Sequence, residues 1–168
     1  NLDGPETLEG KELLLPDQWI LTRYNEAVRE ISAHFEEAEY GLAAQKIYDF
    51  IWSEFCDWYI ELAKGGLLGE DAQRKAAVRA VLQTVLSGML RLLHPFMPFL
   101  TEEVYKHLPG QEDASCMLAA WPTALDAYDF PAQSQQMEGV MDMIRSIRNI
   151  RSGMNVQPSH KAHLMVRP

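Results

Sequence analysis

Three acidic residues lie at helical spacing within the aromatic stretch 50–62, which reads F-I-W-S-E-F-C-D-W-Y-I-E-L. Glu54, Asp57 and Glu61 recur at i, i+3 and i+7, so a helix would place all three on one face. Such a row could ligate a metal or supply a general acid and base. Charge rows on helices are more often paired or solvated, and Lys64 follows Glu61 by three residues. We therefore expect these carboxylates to pair with Lys64 or with basic residues of neighbouring helices.

Other residues that commonly carry catalysis are scattered along the chain. The sequence has no glycine-rich phosphate loop and no H-E-x-x-H motif. Of the five histidines only His160 and His163 lie close together, which is more typical of a solvated tail than of a metal site. Cys56 and Cys116 lack metal-ligand spacing, so we expect reduced thiols, with Cys56 buried, as in a cytoplasmic protein. These patterns favour a binding domain.

Positive charge is concentrated near the end of the sequence. Residues 1–142 hold ten Lys and Arg against 24 Asp and Glu, a net of −14, whereas residues 143–168 hold five basic residues and no acid. The total of −9 argues against a general nucleic-acid binder. Arg145, Arg148 and Arg151 recur every three residues and would share one flank of a helix. This cluster either contacts a polyanion, pairs with the acidic body or is simply solvated.

The elements that must position these residues are helices. Apolar residues recur with a 3.6-residue period in every long segment, and Gly or Pro marks the turns between segments. Helices are predicted at about 17–37, 42–64, 71–93, 99–107 and 134–154. The prediction is an all-α bundle of about five helices, with one strand confined to 162–167, where Leu164 and Val166 alternate.

The stretch 50–62 is predicted to be the central helix of this bundle. Its apolar residues form two adjacent rows, so two of its sides require cover. The rows are Ile51, Phe55, Trp58 and Leu62, and beside them Trp52, Cys56, Tyr59 and Ala63. We assign Phe55 and Trp58 to the core.

Further predictions concern helix ends and faces. Asp17, after Pro16, is the expected N-cap of the first helix. Arg23 follows Trp19 by four residues, so its guanidinium could lie against the indole ring. Trp121-Pro122 should anchor the loop at 109–133. No apolar run is expected to reach the length of a membrane span. The residues expected to face the core are Val78, Val81 (or Leu82), Val85, Met89 and Leu92 in the third long helix, and Val140, Ile144, Ile147 and Met154 in the last.

Four stretches, in order, resemble the helical anticodon-binding domain of valyl-tRNA synthetases, which are class I aminoacyl-tRNA synthetases. They are D-Q-W-I-L-T-R at 17–23, F-C-D-W-Y-I-E at 55–61, L-L-H-P-F-M-P-F-L-T-E-E at 92–103 and I-R-S-I-R-N-I-R-S-G-M-N-V-Q-P at 144–158. The resemblance covers nearly the whole chain. Isoleucyl- and leucyl-tRNA synthetases share parts of the pattern. The chain departs from the commoner family pattern at Ser152-Gly153, where A-E is usual, and at Gln157, where Pro is usual.

The resemblance implies a division of the chain and a set of partners. Residues 1–15 would connect to a catalytic domain, 16–131 would form the anticodon-binding bundle, 132–158 a C-terminal helix on it, and 159–168 the start of a small α/β junction. The partners would be the anticodon stem-loop of tRNA(Val) and the catalytic and coiled-coil domains of the same parent chain, with no membrane. The resemblance also implies that the parent uses ATP and Mg²⁺. The H-x-G-H and K-M-S-K-S motifs of adenylate chemistry are absent from this sequence, so the ATP site would lie elsewhere in the parent.

Candidate RNA-binding residues follow from this resemblance and from residue chemistry. Single-stranded RNA loops are read by stacking on aromatic rings and by cationic contacts to phosphates. A carboxylate of the acidic row could also accept from the exocyclic amine of cytosine, since valine anticodons end in A-C. A helical protein-interaction module remains the alternative of another class. The candidates are Arg23, Lys46, Trp52, Tyr59, Lys64, Arg145, Arg148 and Arg151.

Overall fold

The structure is a computed structural model that describes residues 4–111, 115–157 and 160–161. The helices are α1 (Leu15–Glu36), α2 (Tyr40–Asp49), a π-helical segment (Phe50–Tyr59), α3 (Ile60–Leu68), α4 (Ala72–Leu93), α5 (Pro98–Lys106) and α6 (Pro131–Gly153). Because α2, the π-helical segment and α3 run on without a break, the described residues form five helical rods and no strand. The all-α prediction is confirmed. The strand predicted at 162–167 and His163 lie outside the described residues.

The central helix of the bundle is α1, and the prediction that the aromatic stretch 50–62 holds this place was wrong. Helix α1 packs against α2, the π-helical segment, α4 and α6. Even its polar side chains Thr22 and Asn25 are buried, at 1% and 0% exposure. They are satisfied by the chain that covers them, since Asn25 bonds both the amide and the carbonyl of Leu125 and the hydroxyl of Thr22 accepts from the amide of Phe130. Polar residues with hydrogen-bond partners therefore allow α1 to be covered from Leu15 to Val28, whereas Arg29 and Glu30 are exposed.

The π-helical segment changes which aromatic residues face the core. The amide of Ile60 donates to the carbonyl of Phe55, five residues back, which is the π-helical pattern. Phe50, Phe55 and Tyr59 are therefore buried together at spacings of five and four. Of the two predicted apolar rows, Phe55, Tyr59 and Ala63 are buried, Ile51, Cys56, Trp58 and Leu62 pack against the core, and Trp52 is 53% exposed. The core placement of Phe55 is confirmed. Trp58 is half-buried and packs at the edge of the core.

Helix α4 follows its predicted limits and buries its predicted face. Asp71 caps its N-terminus by accepting from the amides of Gln73 and Arg74. A Cβ on Gly88 would lie 2.0 Å from the hydroxyl oxygen of Tyr24, so the glycine permits the close approach of α1 and α4. By length and composition α4 is apolar enough to cross a membrane, contrary to the expectation for the chain, yet 56% of its most apolar window is buried in the bundle. It is the core helix of a packed domain.

Asp17 is not the N-cap of α1 but the residue three positions into the helix, whose N-cap is Leu14. Its carboxylate accepts from the amide of Leu14 at 2.9 Å and from the hydroxyl of Tyr59 at 2.9 Å. It also forms an ion pair with the guanidinium of Arg74, whose second nitrogen lies 3.1 Å away. The carboxylate is fully buried, so this network joins the start of α1 to the π-helical segment and to α4.

The chain outside the helices is fastened to them by specific side chains. The carboxamide of Gln83, on α4, accepts from the amide of Glu6 at 2.8 Å and donates to the carbonyl of Gly4 at 2.7 Å. Gly4 has φ of +105°, a conformation that favours glycine. The expected anchoring role of Trp121 is confirmed, because its indole donates to Ser32 at 2.9 Å. The segment before α1 and the segment between α5 and α6 are thus each held against the bundle.

Helix α6 packs only its first half against the bundle. Ser134, Met137 and Met141 are buried, and they lie on the face that meets α1. The predicted core positions Val140 and Met154 are instead 41% and 71% exposed. Ile144 and Ile147 are half-buried. The second half of α6 therefore extends beyond the core and presents its side chains to the surroundings.

Candidate nucleic-acid interface

The candidate cations on α1 and α2 are held by carboxylates. Arg23 donates to Glu54 through two nitrogens, at 2.9 and 2.8 Å, and to Glu26 at 2.5 Å. The hydrogen bond to Glu54 is the main cause that raises the pKa of Arg23 above its ordinary value. Lys46 pairs with Glu30 at 2.6 Å. The prediction that Arg23 lies against Trp19 was wrong, because the guanidinium turns to Glu54 instead.

The acidic row behaves largely as the pairing interpretation expected. Glu54 is the main partner of Arg23, and Glu61 pairs with Lys64 at 2.5 Å. Asp57 is exposed. Within the described ranges no group of three or more His, Cys, Asp or Glu is arranged to hold a metal ion.

Only one of the two aromatic candidates offers a ring face to a ligand. Trp52 is 53% exposed, and Tyr48, one turn earlier and 58% exposed, lies beside it with ring centroids 6.2 Å apart. Tyr59 is fully buried, and burial is the main cause that raises the pKa of its hydroxyl. Tyr59 therefore cannot stack on an RNA base in this structure, and it belongs to the core. Tyr48 is the aromatic residue that the sequence analysis missed, although its spacing from Trp52 was visible.

Two of the three arginines of α6 lie over one tryptophan of the π-helical segment. The guanidinium carbons of Arg145 and Arg148 are 5.2 and 5.7 Å from the ring centroid of Trp58, within cation–π range. Arg145 also pairs with Asp142 at 2.8 Å. For Arg148, which is exposed, no carboxylate lies within ion-pair distance among the residues that the structure describes. We call Trp58, Arg145 and Arg148 the α6 cation surface.

Arg151 has a different position from the other two arginines. Its guanidinium donates to the backbone carbonyls of Gln157 and His160, both at 2.8 Å. It therefore folds the chain after α6 back toward the helix end. The three arginines recur at equal spacing in the sequence but do not act as one cluster in the structure.

A cleft separates the α6 cation surface from Arg23. It has a volume of about 280 Å³, and its lining is Trp19, Arg23, Ser53, Glu54, Glu138, Met141, Asp142 and Arg145. The lining contains three carboxylates and two guanidinium groups, so its net charge is negative. The cleft would therefore repel a phosphate, whereas the outer face of Arg148 attracts one. The acidic cleft thus lies beside the α6 cation surface, near the middle of α6.

The fold and these surfaces define the class of protein. The described residues form a helical bundle with exposed aromatic rings, one cationic helix flank and no assembled catalytic or metal centre. The chain is a helical bundle of the all-α class.

The family follows from comparison with known proteins. A family model described as the anticodon-binding domain of tRNA ligase matches residues 17–166, and the chain belongs to this family. A valine–tRNA ligase of Clostridium perfringens is 48% identical over 155 residues, which are 92% of this chain and 18% of that protein. One of Geobacter sulfurreducens is 49% identical over 166 residues, which are 96% of this chain and 19% of that protein. The chain thus spans about a fifth of the length of these relatives.

Proposed function

We propose that this chain recognises the anticodon stem-loop of tRNA(Val) as part of a valine–tRNA ligase. The family and the names of its relatives support a role in tRNA binding. The parent would be a cytoplasmic aminoacyl-tRNA synthetase that uses ATP and Mg²⁺ in a catalytic domain outside this chain. Its other partners would be the catalytic and coiled-coil domains of the same polypeptide.

The division of the chain proposed from the sequence is compatible with the helix limits. Residues 1–15 would be the connector, since α1 begins at Leu15. Residues 16–131 would be the bundle, and 132–158 would contain the helix that carries the α6 cation surface. Residues 159–168 would begin the junction to the next part of the parent.

The observation that carries the proposal is the position of Arg148. It is exposed, it lies over Trp58, and no described carboxylate neutralises it. By contrast Arg23, Lys46 and Lys64 each have a carboxylate partner within 2.8 Å. A cation held by a ring and not by an anion keeps its charge for an external phosphate. The acidic remainder of the chain then limits binding to this flank.

The proposed mechanism is recognition without bond chemistry. Phosphate contacts through Arg148 and Arg145 would set the position of the anticodon stem, because such contacts fix register without reading sequence. Stacking on Trp52 and Tyr48 would hold unpaired bases of the loop, at about 1–3 kcal/mol per stacked base. The rigid bundle would then place the acceptor end of the tRNA at the catalytic site of the parent. The chain alone should show no valine-dependent ATP–pyrophosphate exchange.

Filter binding with valine and isoleucine tRNA transcripts tests this proposal. The 168-residue chain should prefer the valine transcript, with weak binding and a shallow salt dependence because few phosphates are neutralised. Arg148→Gln should reduce the salt slope by about 0.7–0.9 and leave the preference unchanged. Lys64→Gln is the matched control, because that ammonium is already paired with Glu61. Preference for the isoleucine transcript would instead point to the isoleucine enzyme, equal binding of both transcripts to the leucine enzyme, and no RNA binding to a protein-interaction module.

Further variants distinguish the residues proposed to stack on bases from those proposed to contact phosphates. Trp52→Ala should weaken binding about 5- to 150-fold if the ring stacks on a loop base, since 1–3 kcal/mol corresponds to that range. Replacing Arg23 and Lys46 together tests the candidates that the sequence predicted on α1 and α2. Because both cations are paired, we expect this double change to have a smaller effect than Arg148→Gln. A loss of valine preference on changing Arg145 and Arg148 would refute the positioning role.

A further inference from the structure

A second apolar row runs along the outer side of α6. Its members recur at alternating spacings of three and four residues, as on a helix that packs against a neighbour along its length. They are Val140, Met143, Ile147, Ile150 and Met154. Ile150 is 62% exposed and Met154 71%, while Ile147 between Met143 and Ile150 is half-buried. We call the last three members, Ile147, Ile150 and Met154, the α6 apolar surface.

The bundle does not use this row. The face of α6 that meets α1 carries Ser134, Met137 and Met141, which are buried. Val140 directly precedes Met141, so the outer row is turned by about 100° from that face. The bundle therefore fills one side of α6 and leaves the α6 apolar surface for another contact, as exposed apolar patches on folded domains usually indicate.

The end of α6 is closed by hydrogen bonds around a left-handed residue. Asn155 has φ of +53°, its amide donates to the carbonyl of Ser152 at 3.1 Å, and the amide of Val156 donates to the carbonyl of Arg151 at 2.9 Å. This pair of bonds is the Schellman motif, which ends a helix. The chain after Asn155 therefore leaves the helix axis.

The side chain of Arg151 then holds the chain that has left the helix. Its guanidinium donates to the carbonyls of Gln157 and His160, both at 2.8 Å. The six residues from Met154 to His160 could extend about 20 Å beyond the helix, so the contact with Arg151 requires the chain to reverse its direction. Arg151 follows Ile147 by four residues and precedes Met154 by three, so it borders the α6 apolar surface. His160 is thus brought back beside this surface.

The sequence that follows has the composition to cover the surface. Residues 162–168 read A-H-L-M-V-R-P and lie outside the described residues. The α6 apolar surface is about 10 Å long, and four extended residues span about 13 Å, so Leu164 can reach any part of it from His160. In an extended chain Leu164 and Val166 share one side, whereas His163 and Met165 share the other.

We propose that residues 162–166 of this chain return along the end of α6 and cover the α6 apolar surface with the side chains of Leu164 and Val166. The proposal goes beyond the proposed function, because it assigns a contact within the polypeptide and holds whichever ligand the domain binds. The contact orders the end of the chain against the helix that carries Arg148.

Cysteine labelling in the full-length parent enzyme, without tRNA, tests the proposal. Ile150→Cys is the probe, and Asn149→Cys, exposed on another side of the same helix, is the reference. The rate of maleimide modification at each position is measured by peptide mass spectrometry in native buffer and in concentrated urea. The native-to-urea rate ratio at position 150 should be about tenfold or more below that at position 149. Met154→Cys should show the same protection, which guards against a local effect of the first substitution.

Two pairs of changes in the covering segment supply the matched control. Leu164→Ser with Val166→Ser should raise the rate ratio at position 150 to within about twofold of that at position 149. His163→Ser with Met165→Ser changes the other side of the same segment and should leave the protection in place. Loss of protection with both pairs would refute the assignment to Leu164 and Val166.

Three further results would overturn the proposal. Equal rate ratios at positions 150 and 149 in the otherwise unchanged enzyme would show that the surface is open. Protection that survives Leu164→Ser with Val166→Ser would assign the cover to another part of the polypeptide. Protection that grows with enzyme concentration would assign it to a second copy of the chain. Because no tRNA is present, a failure of tRNA(Val) discrimination by the unlabelled enzyme would count against the proposed function alone.

Discussion

Replacing Asp17 by asparagine tests how far the stability of the bundle depends on one buried ion pair. The carboxylate of Asp17 is fully buried, and the guanidinium of Arg74 is 18% exposed. Asp17→Asn keeps the shape of the side chain but removes its charge, so Arg74 is left as a largely buried cation without its anion. The amide of Leu14 and the hydroxyl of Tyr59 also lose a charged acceptor. The perturbation therefore acts on three elements at once.

The expected loss is large for a single substitution. Breaking a buried ion pair by removing one partner costs about 3–5 kcal/mol, because the remaining charge is uncompensated. A domain of this size has a total stability of about 5–15 kcal/mol, so a substantial fraction would be lost. With a urea dependence of about 2 kcal/mol per molar, the midpoint of unfolding should fall by about 1.5–2.5 M.

A double-mutant cycle with Arg74→Met supplies the control. Each single change leaves an unpaired group, whereas Asp17→Asn with Arg74→Met removes both charges. The loss in the double variant should therefore be about 2 kcal/mol smaller than the sum of the two single losses. Urea unfolding followed by circular dichroism measures all four proteins. Additive losses, or an unchanged midpoint for Asp17→Asn, would refute the coupling of these residues.

The same network predicts an alkaline dependence of stability. Burial raises the pKa of Tyr59 above its ordinary value, so above about pH 10 the unfolded chain loses the phenolic proton while the folded chain retains it. The folded state then binds more protons, and stability falls with rising pH by up to about 1.4 kcal/mol per unit. Tyr59→Phe should flatten this fall, although it costs about 1–3 kcal/mol at neutral pH by removing the hydrogen bond to Asp17. Equal alkaline slopes in both proteins would contradict the assignment.

Two further predictions concern packing. Gly88→Ala should cost about 1–2 kcal/mol in urea unfolding, because its Cβ would overlap Tyr24, whereas Gly139→Ala, with open space around its Cβ, should gain up to about 1 kcal/mol. Equal effects of the two would show that the ring of Tyr24 yields freely. Trp58→Ala should cost about 2–3 kcal/mol, below the 3–5 kcal/mol typical of a fully enclosed aromatic, because Trp58 is half-buried. Trp52→Ala, at an exposed position, should change stability by about 0.5 kcal/mol or less, and a larger loss there than at Trp58 would reverse the assignment of inner and outer rings.

The parts of the fold that follow simple periodicity were predictable from the sequence. Helix α4 begins and ends where its cap residue and the proline-containing turn place it, and Val78, Val85 and Leu92 are buried as their spacing requires. Its 3.6-residue pattern is regular because one face meets a continuous core. The all-α class follows from the same argument applied to each long segment.

The rest depended on contacts that periodicity does not contain. The π-helical segment places Tyr59 in the core, where its hydroxyl donates a hydrogen bond to Asp17. No local sequence pattern predicts this hydrogen bond. The pairing of Arg23 with Glu54 was expected only as a class of contact, since either residue had other oppositely charged neighbours within reach. The position of Arg148 over Trp58 joins segments far apart in the chain, so the candidate site could be predicted as a cationic flank but not as a cation held by a ring.

The carboxamide of Gln83 binds the backbone of the connector and none of the connector's side chains. It hydrogen-bonds a carbonyl and an amide two residues apart, as a neighbouring strand would, and Gln83 lies in the middle of α4. A displacement of the connector is therefore transmitted directly to the middle of α4. These two hydrogen bonds do not involve the side chain of Pro5, but they depend on both atoms of one carboxamide and on the φ of +105° at Gly4, which favours glycine.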